Sequence, residues 1–421
     1  MNKKKGNIHY AWIILIGLCI MVGLGKSAIS SSAGLFLTPV AKDLNIGLGN
    51  LMLYFSISSV VTMIFLPFGG KLLAKYNIRL ILIIAIVLQA GAFALFGLMN
   101  SVWGWYILSI PLAVGGVFIT VIAGPVMINQ WFKKKNGLAL GIMGASVGAI
   151  GAILQPVIGN VIAGQGWRFS YIAVGVGVII IAVPVILLIM RKSPQEKGLQ
   201  PYGSKEDKNT VDNAHSTTEN AGISMAVAKK SSAFYALITF FFFVTSIGSF
   251  SLHIPTFLSS KGYDVAFAGN VMGAYMIGAL AGALILGFLS DKIGSKNTTI
   301  LAMVLGLISI SSILLFSANS VIITIAIVLL GFVVASIGTL GPALTTSLFG
   351  SKEYSQIYST ASLGLAIASV VALPAYGYIY DFVGSYNPAL YALMVMMVLN
   401  IICVTLAFKG KKKLVDQGHW K

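Results

Sequence analysis

The residues able to do chemistry are few, and most are single polar groups inside long apolar stretches. Lys26 stands in LGKSAISSS, residues 24–32, within an apolar run that starts near residue 9. It lies 16 residues beyond Tyr10, about 24 Å along a helix rising 1.5 Å per residue. No Asp or Glu falls in the interior of any apolar run, Asp381 standing at the very end of 354–383, so the ammonium has no acid written beside it. A cation at that depth in hydrocarbon costs about 2.5 to 3.5 kcal/mol unless it meets water or a partner. The functional reading is a residue that draws an anion into a wet cavity walled by small serines. The alternative is a lysine reaching along its stem to the outer headgroups.

Other polar groups are weaker signals. His253, two residues before Pro255, titrates in the neutral range when unperturbed and is a candidate for moving a proton. Its other reading is a histidine bonded to backbone that the proline frees. Tyr54, Gln155 and Tyr275 are candidates to hydrogen-bond a carboxylate, or else bond between helices. Asp381, just before Gly384, reads as the cap of an outer turn. Cys19 and Cys403 each sit alone in an apolar run, so neither a disulfide framework nor a metal site is expected. No cluster of His, Asp or Glu falls within the runs, and no G-x-x-x-x-G-K-[ST] motif occurs. We expect no enzyme, no cofactor and no use of ATP.

The elements that must position these groups are set by composition. The chain has 421 residues, 57% hydrophobic and 9% charged, where soluble chains carry about 25% charged residues. Twelve apolar runs stand at 9–40, 48–70, 78–99, 102–132, 136–164, 167–190, 232–259, 265–290, 297–317, 320–349, 354–383 and 386–408. Each is long enough for a membrane-spanning helix, which needs about 20 apolar residues. They lack the alternation of barrel strands. The expected fold is therefore an all-α membrane protein with twelve transmembrane helices in two six-helix bundles. The expected domains are 1–190, a polar linker at 191–231, 232–409, and a tail at 410–421. The linker reads as mobile, with a short amphipathic turn near Met225. The basic N-terminus leading into an apolar run reads as a retained first helix and not a cleaved signal.

Charge placement sets the orientation. With the N-terminus inside and twelve crossings, 24 of the 28 Lys and Arg residues fall on the inner side. Lys42, Arg168 and Lys261 fall outside, and Lys26 lies within a span. Basic inner loops are the rule for membrane proteins, so the net charge of +17 is an orientation signal and no nucleic-acid partner is expected. Trp103, Trp105 and Tyr106 read as outer interface anchors, and Trp12 and Trp131 as inner ones. The glycines at 141, 144, 148 and 151 read as a close-packing face. The halves also repeat: Gly70 and Gly287 are 217 residues apart, and Lys42 and Lys261 are 219 apart. Such duplicated bundles hold a substrate near the membrane midplane.

The repeated loop carries a family resemblance. Gly287, Asp291, Gly294 and Lys296 fit G-x-x-x-D-x-x-G-x-R/K, and the chain resembles the major facilitator superfamily over essentially its whole length. The resemblance implies gating roles for these four residues, with Gly287 allowing helices to approach and Gly294 turning the chain. The first copy keeps Gly70 and Arg79 but has Ala74 for the acid and Asn77 for the glycine. Lys134, in the basic cluster 133–135, is a candidate partner of Asp291 across the inner gate, or a contact to lipid headgroups.

Three further places are similar to the monocarboxylate transporters and oxalate:formate antiporters: NIHYAW at 7–12, Gly25-Lys26-Ser27, and WFKKKNGLALG at 131–141. The resemblance implies a small organic anion, a monocarboxylate, carried by proton symport or anion exchange. Two features depart from that branch. Residues 278–287 lack its arginine, and residues 355–380 lack the lysine of the oxalate:formate antiporters. A doubly charged substrate is thereby disfavoured. The competing expectations are an efflux carrier for drugs or metabolites and a non-transporting membrane sensor or scaffold. We expect a monomer in the plasma membrane, in contact with lipids, with both termini cytoplasmic.

Overall fold

The structure, a computed structural model, describes residues 9–204 and 222–418, apart from the side chains at 70, 71 and 74. Among them, ten helices are long and apolar enough to cross a membrane. Two of these contain 54 and 51 residues, and each is interrupted by one glycine with non-helical backbone, Gly166 (φ 79°, ψ 166°) and Gly294 (φ 82°, ψ 151°). A positive φ strains any residue with a Cβ, so each glycine marks a turn between two helices. Divided there, the ten helices become the twelve that the apolar runs predict.

In chain order these are α1 (Tyr10–Leu44), α2 (Leu48–Lys75), α3 (Ile78–Leu98), α4 (Val102–Trp131), α5 (136–165), α6 (167–189), α7 (Ser232–Ser260), α8 (265–293), α9 (295–315), α10 (Ser320–Phe349), α11 (Tyr354–Val383) and α12 (Asn387–Asp416). Apolar length explains why they form, and short polar residues explain where several begin. Asn77, Ser101, Ser231, Asp264 and Asn319 each accept a backbone N–H from the first turn of the helix they precede. Large apolar residues such as Ile180, Leu188, Leu315, Val321 and Ile325 are exposed. In a bilayer, lipid chains cover such a surface and leave no unsatisfied backbone, because the helices pair their own.

The described chain divides into two compact units, Met1–Ala33 with Val60–Val211, and Gly34–Ser59 with Asp212–Lys421. In the second unit α8 and α10 approach backbone to backbone. A Cβ at Gly278 or Gly282 would strike the Val328 or Phe332 carbonyl, and one at Gly331 would strike that of Tyr275. Small residues permit this approach, and dispersion then holds the pair. On the glycine face of α5, a Cβ at Gly141 or Gly144 would meet nothing within 4 Å, so no close packing demands glycine at these two, while Gly148 and Gly151 are buried.

Three other local expectations are corrected. Trp105 and Trp131 are fully buried and not interface anchors. Trp105 stacks on Phe96 at 5.6 Å, and Trp131 donates its indole N–H to the Arg191 carbonyl at 3.1 Å. Helix α12 runs on through Lys411–Lys413 to Asp416, because lysines favour a helix C-terminus; Lys411 also donates to the Ser347 carbonyl at 2.6 Å. The described ends of the linker are packed. Tyr202 N–H donates to the Trp131 carbonyl at 2.8 Å, and Ile223 N–H to that of Phe349 at 3.0 Å. The short turn expected near Met225 is present, as Met225–Ala228, and Met225 donates its N–H to the Glu353 carboxylate at 2.8 Å. The rest of the expected mobile linker, 205–221, lies outside the described residues.

Candidate functional site

Helix α1 is not regular where it carries Lys26. From Leu24 to Ser31 it opens into a wide π turn, a form that occurs mostly as single turns and often at functional sites. Lys26 is exposed there, while Gly25, Ser27, Ala28 and Ile29 around it are buried. Among the described residues its ammonium makes no hydrogen bond and no ion pair.

The backbone on either side of Lys26 is held by two glutamines. Gln89 of α3 donates its amide N–H to the Gly25 carbonyl at 3.1 Å. Gln155 of α5 does the same to the Ser27 carbonyl at 3.3 Å. Both side chains are buried, and the Oε1 atom of each finds no hydrogen-bond partner among the described residues. Ser27 also donates to the Val147 carbonyl at 2.6 Å. Gly25 packs on α4, where a Cβ would come within 2.8 Å of Ile119. Ile119 lies in a second wide turn, Val117–Ile122. Gln89 escapes a sequence reading of function; its one signal is that it is the only amide in the run 78–99 before the terminal Asn100.

The other polar candidates lie in the second unit. Tyr54 and Tyr275 are both buried. His253 closes a tight turn, Phe250–His253, inside α7, and is fully buried. Its Nε2 lies 2.9 Å from the Leu373 carbonyl and its Nδ1 2.9 Å from the Tyr386 hydroxyl. A carbonyl can only accept, so Nε2 carries the hydrogen and Nδ1 accepts from the tyrosine. The neutral ring satisfies both. It is bonded to backbone, but to that of α11 and not to the carbonyl that Pro255 frees.

In the same unit the start of α2 and the second half of α11 form a polar seam. Pro374 has no N–H to give to the Val370 carbonyl, and Ser56 donates to that carbonyl at 2.5 Å. Tyr378 donates to Asn50 at 2.9 Å. Asp381 accepts the N–H groups of Leu48 and Gly49 at 2.9 and 2.7 Å. The acid therefore caps the start of α2, where an anion is favoured by the helix dipole. The turn after α11 is made by Gly384, in the left-handed region.

The loop residues occupy varied settings. Gly70 lies within α2, which continues to Lys75. Asn77 caps α3, and Arg79 donates to the Met190 carbonyl at the end of α6, at 2.8 Å. Lys134 is exposed and donates its backbone N–H to the Tyr202 carbonyl at 3.2 Å. Asp291 is exposed and makes no ion pair among the described residues. Lys296 lies over the Phe408 ring at 5.8 Å. Gly294 makes the turn. At Gly287 a Cβ would meet nothing within 4 Å, so no close helix approach demands a glycine there.

Comparison with known proteins now places the chain. The model of the Major Facilitator Superfamily matches residues 15–269 and 260–417. An oxalate:formate antiporter of Oxalobacter formigenes is 25% identical over 301 residues, covering 70% of this chain and 67% of the antiporter. A putative glycerol-3-phosphate transporter of Arabidopsis thaliana is 25% identical over 55% of this chain and 49% of its own length. An uncharacterized transporter of Bacillus subtilis, YcxA, is 21% identical over 97% of this chain and 98% of its own. Among solved structures, a bacterial homologue of the human lysosomal transporter Spinster superposes with a TM-score of 0.71, at 14% identity, over 99% of this chain and all of that one.

Proposed function

We propose that this chain, which belongs to the Major Facilitator Superfamily and is a multi-pass membrane transporter and not an enzyme, carries a small organic anion, specifically a monocarboxylate. The observation that carries this reading is Lys26, an exposed cation in the middle of a span whose neighbours are buried. With no acid in the interior of any span to neutralise it, the ammonium's counter-charge is the substrate carboxylate. Attraction across a low-dielectric surround is several-fold stronger than in water.

Tyr54 and Tyr275, in the second unit, are candidate hydroxyl donors to a carboxylate. The carrier works by alternating access between two six-helix halves, 1–190 and 232–409, as proton symporter or anion exchanger. The loop residues Gly70, Arg79, Gly287, Asp291, Gly294 and Lys296 serve the inner gate together with Lys134. For proton coupling the candidate routes are Lys26, His253 and a substrate carried in its protonated, neutral form. The protein acts as a monomer in the plasma membrane with both termini in the cytoplasm. One cation suits one carboxylate, and the lack of a second cation at 278–287 or 355–380 disfavours oxalate.

The test is uptake into proteoliposomes of labelled formate, acetate, lactate, pyruvate and oxalate, with and without a pH gradient. We expect uptake of at least one monocarboxylate, faster than that of oxalate, and its loss in Lys26→Gln with the protein still folded. Uptake that survives this change overturns the reading. Transport of none of the five points instead to efflux of larger metabolites or drugs.

A further inference from the structure

We propose that Gln89 and Gln155 are the positioning residues of Lys26, holding the carbonyls on either side of it so that the wide turn of α1 directs the ammonium to one side. Its bearing on transport rests on the reading of Lys26 above. The geometry of the hold does not.

Three observations carry the assignment. First, the two amides reach α1 from different helices, α3 and α5, and bind residues 25 and 27, leaving residue 26 between them. Second, the turn is wide, so an α-helical alternative competes with it. Closing the turn removes one residue from the bulge and rotates the remainder of α1 by about 100° about the helix axis. A side-chain donor on each flanking carbonyl ties the wide form of α1 to α3 and α5, and the Gly25 carbonyl accepts from the Ser30 hydroxyl as well, at 3.4 Å. Third, each glutamine leaves its own Oε1 buried without a partner among the described residues. Both side chains spend a donor on α1 at the expense of their own oxygens, which is not how a merely space-filling glutamine is arranged. Gln155, read from the sequence as a contact to the substrate, is thus assigned to the residue that meets the substrate. Neither glutamine needs to touch the anion.

The assignment is tested by the reactivity of Lys26 itself. The intact carrier in nanodiscs is treated with trinitrobenzenesulfonate, a small anionic lysine reagent, and labelling of each lysine is tracked by peptide mass spectrometry. Gln89→Leu and Gln155→Leu keep the bulk and remove the donor. Each is expected to change the labelling rate at Lys26 by about threefold or more, with the rate at Lys261 unchanged and the melting temperature near that of the parent. Gln89→His, which keeps an N–H donor, is expected to restore the rate. Ser309→Ala, which removes a buried hydroxyl from the other unit, is the control and should leave Lys26 alone. Unchanged labelling of Lys26 in both leucine variants overturns the proposal. So does an equal change in Ser309→Ala, or a Lys26 that the reagent never labels. If one leucine variant fails to fold, the other decides.

A second arm uses the carboxylate found in the uptake panel. There the leucine variants should raise KM and keep the maximal rate, whereas general loosening lowers the rate. If no carboxylate is transported, the functional reading fails while the labelling result still stands.

Discussion

At the scale of single residues, the molecule sets Lys26 and His253 apart by how each is satisfied. Lys26 is exposed and unpaired among the described residues, so it has a charge to offer. His253 has both ring nitrogens engaged and no exposure, so in this state it has nothing to offer a substrate. Removing its partner shows what the bond is worth. Tyr386→Phe leaves Nδ1 buried without a donor, which costs about 1 to 3 kcal/mol. The expected outcome is a lower melting temperature in detergent with monocarboxylate uptake retained. Loss of uptake at unchanged stability would instead give the histidine–tyrosine pair a direct part in proton coupling. The sequence shows a lone lysine and a lone histidine in apolar runs, but not that one is free and the other filled. That difference is made by Leu373 and Tyr386, which lie 120 and 133 residues from His253.

At the scale of elements, prolines and glycines decide where helices bend, part and touch. Pro374 frees the Val370 carbonyl for Ser56, and Asp381 closes the same seam by capping α2. A carboxylate on two backbone N–H groups at a helix start contributes about 0.3 to 1 kcal/mol through the dipole, more when partly buried. Asp381→Asn keeps the shape and removes the charge. In a carrier with Cys19 and Cys403 replaced by serine and Ser56 by cysteine, this change should speed labelling of position 56 by an impermeant thiol reagent. An unchanged rate would mean that the charge does not hold the seam. The apolar runs predict most helix limits to within a few residues, since apolar length is written in the chain. The wide turns at 24–31 and 117–122 have no such mark, because they depend on what packs against the helix.

At the scale of the whole molecule, the distribution of charge makes a topological prediction. Single cysteines at Lys42 and Lys261, again with Cys19 and Cys403 replaced, should react with an impermeant reagent on intact cells. Cysteines at Lys134 and Lys352 should react only after the membrane is opened. Labelling of all four from outside would refute the orientation that the basic loops imply.

What the sequence by itself determines here is the membrane class, the number of crossings, most helix limits and the superfamily. All of these rest on apolar length and on short loop motifs that are local in the chain. What only the tertiary structure decides is the company each polar residue keeps. Gln155 turns out to serve α1, Asp381 caps α2 in place of its own turn, and Trp131 is buried. Gln89, one amide in an apolar run, becomes a neighbour of Lys26 only when α3 packs on the wide turn. The reason is physical: hydrophobic length acts on a segment alone, whereas a buried hydrogen bond needs two groups that folding brings together from distant parts of the chain.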